Sequence, residues 1–363
     1  MIESIKNHIL RSELANLQAY TVAHPGQMIK LDAMENPYTW PDSIKSQWLE
    51  HLSRCEINRY PDPGAGKLVD VLKKLNPIPD NYEILLGNGS DEIIQLLLMA
   101  AKPGSSILSP HPGFVMYKQI AISLGLNYQS VTVHPDDFSM DVEGMLEAIK
   151  TSSPSIIFIA YPNNPTGNLF NRDDIIQLIE HCSGLVILDE AYPPFAKASF
   201  IDLLSQYPNL MVMRTVSKLG LAGLRLGYLI GHQELIHELN KIRLPYNINS
   251  LTQITSEFAL QHQNLFTEQT DQICQDRQWL YAQLADLANI QAFPSSANFI
   301  LFRTLPNQAD IIDSALKQQG ILIKNLSRQG GLLQDCLRVT VGTTEENQIF
   351  IDALKKIIKN SSC

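Results

Sequence analysis

Between residues 68 and 210, short apolar runs of strand length alternate with stretches of helical periodicity, and this alternation limits the fold more than any other feature of the chain. Strands separated by helices cannot pair as hairpins. Each must cross over and lie parallel to the one before, which specifies an α/β architecture with a mostly parallel sheet and helices on both faces. Such sheets bind ligands beyond the carboxyl ends of their strands, so the residues following each run are where chemistry is expected.

Four junctions stand out. The run 184–188 leads to Asp189 and, three residues on, Tyr192. A carboxylate there suits a pyridine nitrogen, which it keeps protonated, and the phenol suits a neighbouring ring oxygen. The run 155–160 leads to Tyr161-Pro-Asn-Asn-Pro-Thr-Gly167, a rigid loop from which Asn164 can donate to the same ring oxygen from the opposite side. Lys218 lies among Ser217, Gly220, Gly223 and Arg225. Glycines admit a ligand close to the backbone, a hydroxyl and a guanidinium both bind phosphate, and an amine within reach condenses with a carbonyl. Residues 84–92 pass through Gly87 and Gly89 into a helical run at 93–101, where Ser90 is expected to cap the helix and the first-turn amides to hold an anion. That junction lacks the lysine of a Walker loop and the third glycine of a dinucleotide fingerprint. Taken singly, each junction also reads as an ordinary capped loop or proline turn. Together they describe a site for an anionic aldehyde cofactor, and pyridoxal 5'-phosphate is such a compound.

With these residues laid out, the chain resembles the fold-type I pyridoxal-phosphate-dependent aminotransferases from about residue 31 to 343, and within them the enzymes that act on histidinol phosphate with 2-oxoglutarate as acceptor. The resemblance implies that Lys218 is the Schiff-base lysine and general base, that Asp189 pairs with the ring nitrogen, and that Asn164 and Tyr192 hold the ring oxygen. It assigns the phosphate to Ser90, Asp91 (through its backbone N–H), Ser217 and Arg225, with Tyr60 reaching in from the second subunit of a homodimer. Phe114 takes the place where the family stacks an aromatic, often tyrosine, on the ring; stacking needs the ring and not the hydroxyl. Arg338 corresponds to the carboxylate-binding arginine, and a planar guanidinium suits carboxylate or phosphate. Lys324 stands where many relatives carry a second arginine, Arg328 follows as a further candidate for the substrate phosphate, and Tyr38 is expected to close over the substrate. Lys218 and Arg225 are one residue closer than in many members, which puts the path of the loop between them in question. Three other readings share part of this pattern. An aromatic amino acid aminotransferase would use the same cofactor residues, and a threonine-phosphate decarboxylase of the same fold would break a different Cα bond. A non-catalytic regulatory or binding module is opposed by the absence of spare length or a basic helix for nucleic acid.

With 363 residues, 45% of them apolar, the chain has enough material for two domains. The expected division is a segment 1–50 that packs with the smaller domain, a large cofactor-binding domain 51–246, and a smaller α+β domain 247–363. After residues 244–249 the texture changes to a long helical pattern through Leu287, then to short strands at 297–302 and 337–341. A net charge of −9 disfavours nucleic acid or an anionic membrane as partner, so a phosphorylated substrate needs a local basic pocket. Five cysteines, Cys55, Cys182, Cys274, Cys336 and Cys363, have no CxxC spacing and read as free thiols in a reducing compartment. No metal site is implied. The amino terminus lacks the apolar core of a signal sequence and no apolar run of about 20 residues occurs, which points to the cytoplasm.

Overall fold

Two sheets organise the chain in the computed structural model, which describes residues 1–19 and 22–361. The larger has the strand order Tyr82–Asn88, Leu226–His232, Leu210–Thr215, Leu185–Glu190, Ile156–Ala160, Ser106–His111, Asn127–Thr132. All share one direction except Leu226–His232, which is antiparallel to both neighbours. The expected mostly parallel sheet is therefore what forms. Strand Ile156–Ala160 shows why: all five residues are buried, as a strand covered by helices on both faces requires. Alternation sends Ile157 and Ile159 into one core and Ile156 and Phe158 into the other. Helices Ser90–Ala100 and Val115–Ser123 cover the second of these faces, while Val142–Ser152 and Arg172–His181 cover the first. The start of Arg172–His181 is fixed by Asn171, whose Oδ1 accepts from the N–H of Asp173 at 2.8 Å.

The smaller sheet has the order Ile29–Leu31, Ile321–Asn325, Cys336–Thr340, Phe299–Arg303, Gln291–Ala292, and its core gathers Leu31, Phe299, Phe302, Leu337 and Phe350. Of the amino-terminal residues, Ile29–Leu31 forms the edge of this sheet, whereas Asp42–Leu52 packs on Ser250–Leu260 and Ser12–Asn16 lies against Val115–Ser123. The long helix expected after residue 249 is two helices, Ser250–Leu260 and Gln263–Ala285. They part at His262, where the backbone turns to φ −102°, ψ 45°. Ala259 and Leu260 of the first helix and Phe266 of the second lie in the larger sheet's core, and the second then runs on to Ile273, Leu280 and Leu284 in the smaller one's. Among the described residues no helix is long and apolar enough to cross a membrane. Cys55, Cys182, Cys274 and Cys336 are free thiols; Cys363 lies outside the described residues.

Candidate active site

The carboxyl ends of the parallel strands open onto one cleft. It is lined by Ser90 and Asp91 after the first strand, Phe114 after Ser106–His111, Asn164 after Ile156–Ala160, Asp189 and Tyr192 at the end of Leu185–Glu190, and Ser217 and Lys218 after Leu210–Thr215. Arg225 joins them because it precedes the one antiparallel strand, whose amino end lies at the same edge. The short spacing from Lys218 to Arg225 is taken up by two tight turns, Ser217–Leu221 and Ala222–Leu224, with Gly220 at φ 117° and Arg225 itself left-handed at φ 50°.

One end of the cleft is a cradle for an anion. Helix Ser90–Ala100 begins here with its amides and positive dipole end, and Arg225 Nη2 stands 3.2 Å from Asp91 Oδ2. Ser90 does not cap this helix as expected: Gly89 holds the cap position at φ 83°, ψ 163°, and Ser90 is the first helical residue. The reason is steric. A Cβ on Gly89 would lie 2.4 Å from Arg225 Nη2, so only glycine lets the chain turn into the helix with the guanidinium alongside. Ser217 is buried, its Oγ 2.9 Å from Thr215 Oγ1.

The other polar groups form a connected set. Asn164 Nδ2 donates to the Tyr192 hydroxyl at 3.2 Å, and Arg338 Nη1 donates to Asn164 Oδ1 at 2.5 Å. Arg338 also donates to the carbonyl of Asp32 at 3.1 Å and lies over the Phe299 ring. Lys218 Nζ donates to the carbonyl of Ala33 at 3.3 Å, so the segment before Asn36 contributes backbone oxygens and Met34 to the cleft. Burial lowers the Lys218 amine to about 8, with Arg338 and Arg225 adding to the fall and Glu35 and Asp91 opposing it. Asp189 is 5% exposed, and burial pushes its carboxyl up to about 7 against the pull of the Tyr117 hydroxyl, which donates to Oδ2 at 2.5 Å. Its other oxygen, Oδ1, is buried with no hydrogen-bond partner among the described residues.

Not every expected residue arrives. Tyr38 does not line the cleft: its ring packs on the smaller sheet's core and its hydroxyl is 3.4 Å from Asp276 Oδ2, because Asn36 pins the segment by donating to the Leu219 carbonyl. Tyr60 is 82% exposed and stacks on Tyr246 with ring centroids 4.6 Å apart, outside the cleft of its own chain. Lys324 pairs across the sheet with Arg338, and opposite residues of an antiparallel pair share a face, so it stands beside the arginine. Arg328 sits at the surface on the turn Ser327–Gln329, 3.7 Å from Asp310 Oδ1, and is not brought in. Tyr117 was given no role on sequence grounds. Its signal was present: three residues beyond Phe114, it shares a helical face with a residue of the cleft.

Pyridoxal phosphate fits these residues. The cradle suits its phosphate, the Lys218 amine its aldehyde, and the unpartnered Asp189 Oδ1 is the acceptor a protonated ring nitrogen requires. A histidinol-phosphate aminotransferase 2 of Nitrosococcus oceani is 54% identical over 352 residues, covering 97% of this chain and 98% of its own. A histidinol-phosphate aminotransferase of Vesicomyosocius okutanii subsp. Calyptogena okutanii is 48% identical over 353 residues, covering 97% and 99%. The crystal structure of histidinol-phosphate aminotransferase from Sinorhizobium meliloti in complex with pyridoxal-5'-phosphate shares the fold at a TM-score of 0.85 and 22% identity, covering 97% of this chain and 98% of that one. Residues 26–354, which take in both sheets and every strand that feeds the cleft, match the family described as aminotransferase class I and II, and to that family the chain belongs.

Proposed function

We propose that the chain is a pyridoxal-phosphate-dependent aminotransferase of histidine biosynthesis, passing the amino group of L-histidinol phosphate to 2-oxoglutarate to give imidazole acetol phosphate and glutamate. The observation that carries this reading is the convergence of the Lys218 amine and the unpartnered Asp189 oxygen on one cleft with an anion cradle at its end. The choice of donor is supported by the relatives of that name at 54% and 48% identity over nearly the full chain.

When bound, pyridoxal phosphate supplies the sink for the electron pair released at Cα. The residues divide the remaining work. The amides of Ser90 and Asp91, the Ser217 hydroxyl and Arg225 hold the phosphate, and Phe114 packs on the ring. Asn164 and Tyr192 hold the ring oxygen, and Asp189 holds the proton on the ring nitrogen. Lys218 would hold the cofactor's aldehyde, and its free amine is the base that would take the Cα proton of the donor and return it one carbon away. With its amine lowered to about 8, it is a free base in a useful fraction near neutral pH. Arg338 binds the donor's phosphate in one half-reaction and the acceptor's carboxylate in the other, and Lys324 beside it adds a point charge.

A homodimer completes the assignment. Ile57, Tyr60 and Leu244 are 79%, 82% and 72% exposed near the stacked Tyr60–Tyr246 pair, an apolar surface that a second copy would cover, carrying Tyr60 to its partner's phosphate. The reaction is assigned to the cytoplasm, where the free thiols would stay reduced. Lys218→Ala tests the core of the reading: purified with pyridoxal phosphate, it should lose both transamination and the yellow colour. A variant that keeps either one contradicts it.

A further inference from the structure

The buried tyrosine behind Asp189 has a hydroxyl that the apolar packing around it does not need. Tyr117 is 1% exposed on helix Val115–Ser123, within a core of Ile93, Ile107, Ala121 and Phe158. A phenylalanine would fill that space, and a hydroxyl there is costly unless partnered. Its partner is Asp189 Oδ2, 2.5 Å away. The ring is held on two sides. It stacks on Phe158 at 4.6 Å and 11°, which ties it to strand Ile156–Ala160, and it meets Phe114 edge-on at 5.5 Å and 82°. One side chain thus touches both the acid at the bottom of the cleft and the aromatic on its wall.

We propose that Tyr117 is the positioning residue for the cofactor ring, its hydroxyl occupying one oxygen of Asp189 so that only Oδ1 is presented to the cleft, and its ring edge setting the attitude of Phe114. This rests on the cleft being a pyridoxal phosphate site. Burial and the adjacent carboxylate drive the phenol well above its ordinary range, so it is a permanent donor that does not itself exchange protons. A fixed donor favours the charged carboxylate, and a charged carboxylate favours a protonated ring nitrogen. Removing the hydroxyl moves the shared proton towards Asp189.

The test is to load cofactor-free protein with pyridoxal phosphate labelled with nitrogen-15 in the ring and read the nitrogen chemical shift and the dissociation constant. Wild type should show the protonated shift. Tyr117→Phe, which keeps the packing, should move it towards the neutral value and weaken binding by about tenfold, as expected for loss of a hydrogen bond to a charged group. In an Asp189→Asn background the same substitution should change neither quantity. An unchanged shift and affinity in Tyr117→Phe, or an equal loss in both backgrounds, overturns the proposal. Wild type that takes up no cofactor overturns the reading of the site itself.

Discussion

Lys218 and Arg338 show how single side chains are tuned by what lies beside them. An exposed lysine titrates at about 10.4, whereas burial and two nearby guanidinium groups bring Lys218 to about 8. Its reactive, unprotonated fraction rises as pH passes upward through that value. Competitive acetylation of cofactor-free protein, followed by peptide mass spectrometry, should therefore give Lys218 a midpoint near 8, and a midpoint above 10 contradicts the assignment. Arg338 is 6% exposed, and its two terminal nitrogens already reach Asn164 and the Asp32 carbonyl, a forked geometry that lysine cannot copy. Arg338→Lys should lower kcat/KM on the order of 10- to 100-fold. Arg328→Ala should change it less than about twofold, since its exposed ion pair contributes little and lies outside the cleft. Residues of the first kind were legible in the sequence because their chemistry is specific and they follow strands directly, as Asp189 and Asn164 do. For Tyr117 the local spacing from Phe114 was legible, whereas its contact with Asp189, 72 positions away, was not. Tyr38 and Arg328 lie away from the cleft because side-chain direction depends on Asn36 and Asp310, partners that sequence alone does not pair with them.

At the scale of elements, the junctions between strand and helix carry both stability and function. Gly89 occupies a backbone region open to glycine almost alone. Gly89→Ala should cost about 1–3 kcal/mol of stability by denaturant unfolding, and it should also weaken cofactor binding, because the new Cβ displaces Arg225. Behind the cleft, Arg214 on strand Leu210–Thr215 donates to Glu190 through Nε at 3.0 Å and Nη2 at 2.6 Å, with Glu190 fully buried. This pair locks the two strands whose ends carry Asp189 and Lys218. Arg214→Met should cost about 3–5 kcal/mol, because the carboxylate is left buried without its partner. The parallel strands were readable from their β-branched runs, with ends displaced by a residue or so. The break at His262 was not, since the helical pattern continues through it and no turn residue marks it.

The whole molecule brings together what lies far apart in the chain: Arg338 of the smaller sheet meets Asn164 of the larger, 174 positions away. Alternation predicted the larger sheet, but the meeting of the two depends on tertiary packing alone. If Tyr60 serves a neighbouring copy, sedimentation should give twice the 40.7 kDa of one chain. Mixing inactive Tyr60→Ala and Lys218→Ala chains should then restore part of the activity, through hybrid dimers with one intact site. The most direct measurement of the central claim is kcat/KM for a set of amino donors with 2-oxoglutarate as acceptor. Histidinol phosphate should exceed phenylalanine, tyrosine and histidine by about tenfold or more, as an extra charge-assisted contact predicts. Phenylalanine equal to it or better would contradict the proposed substrate.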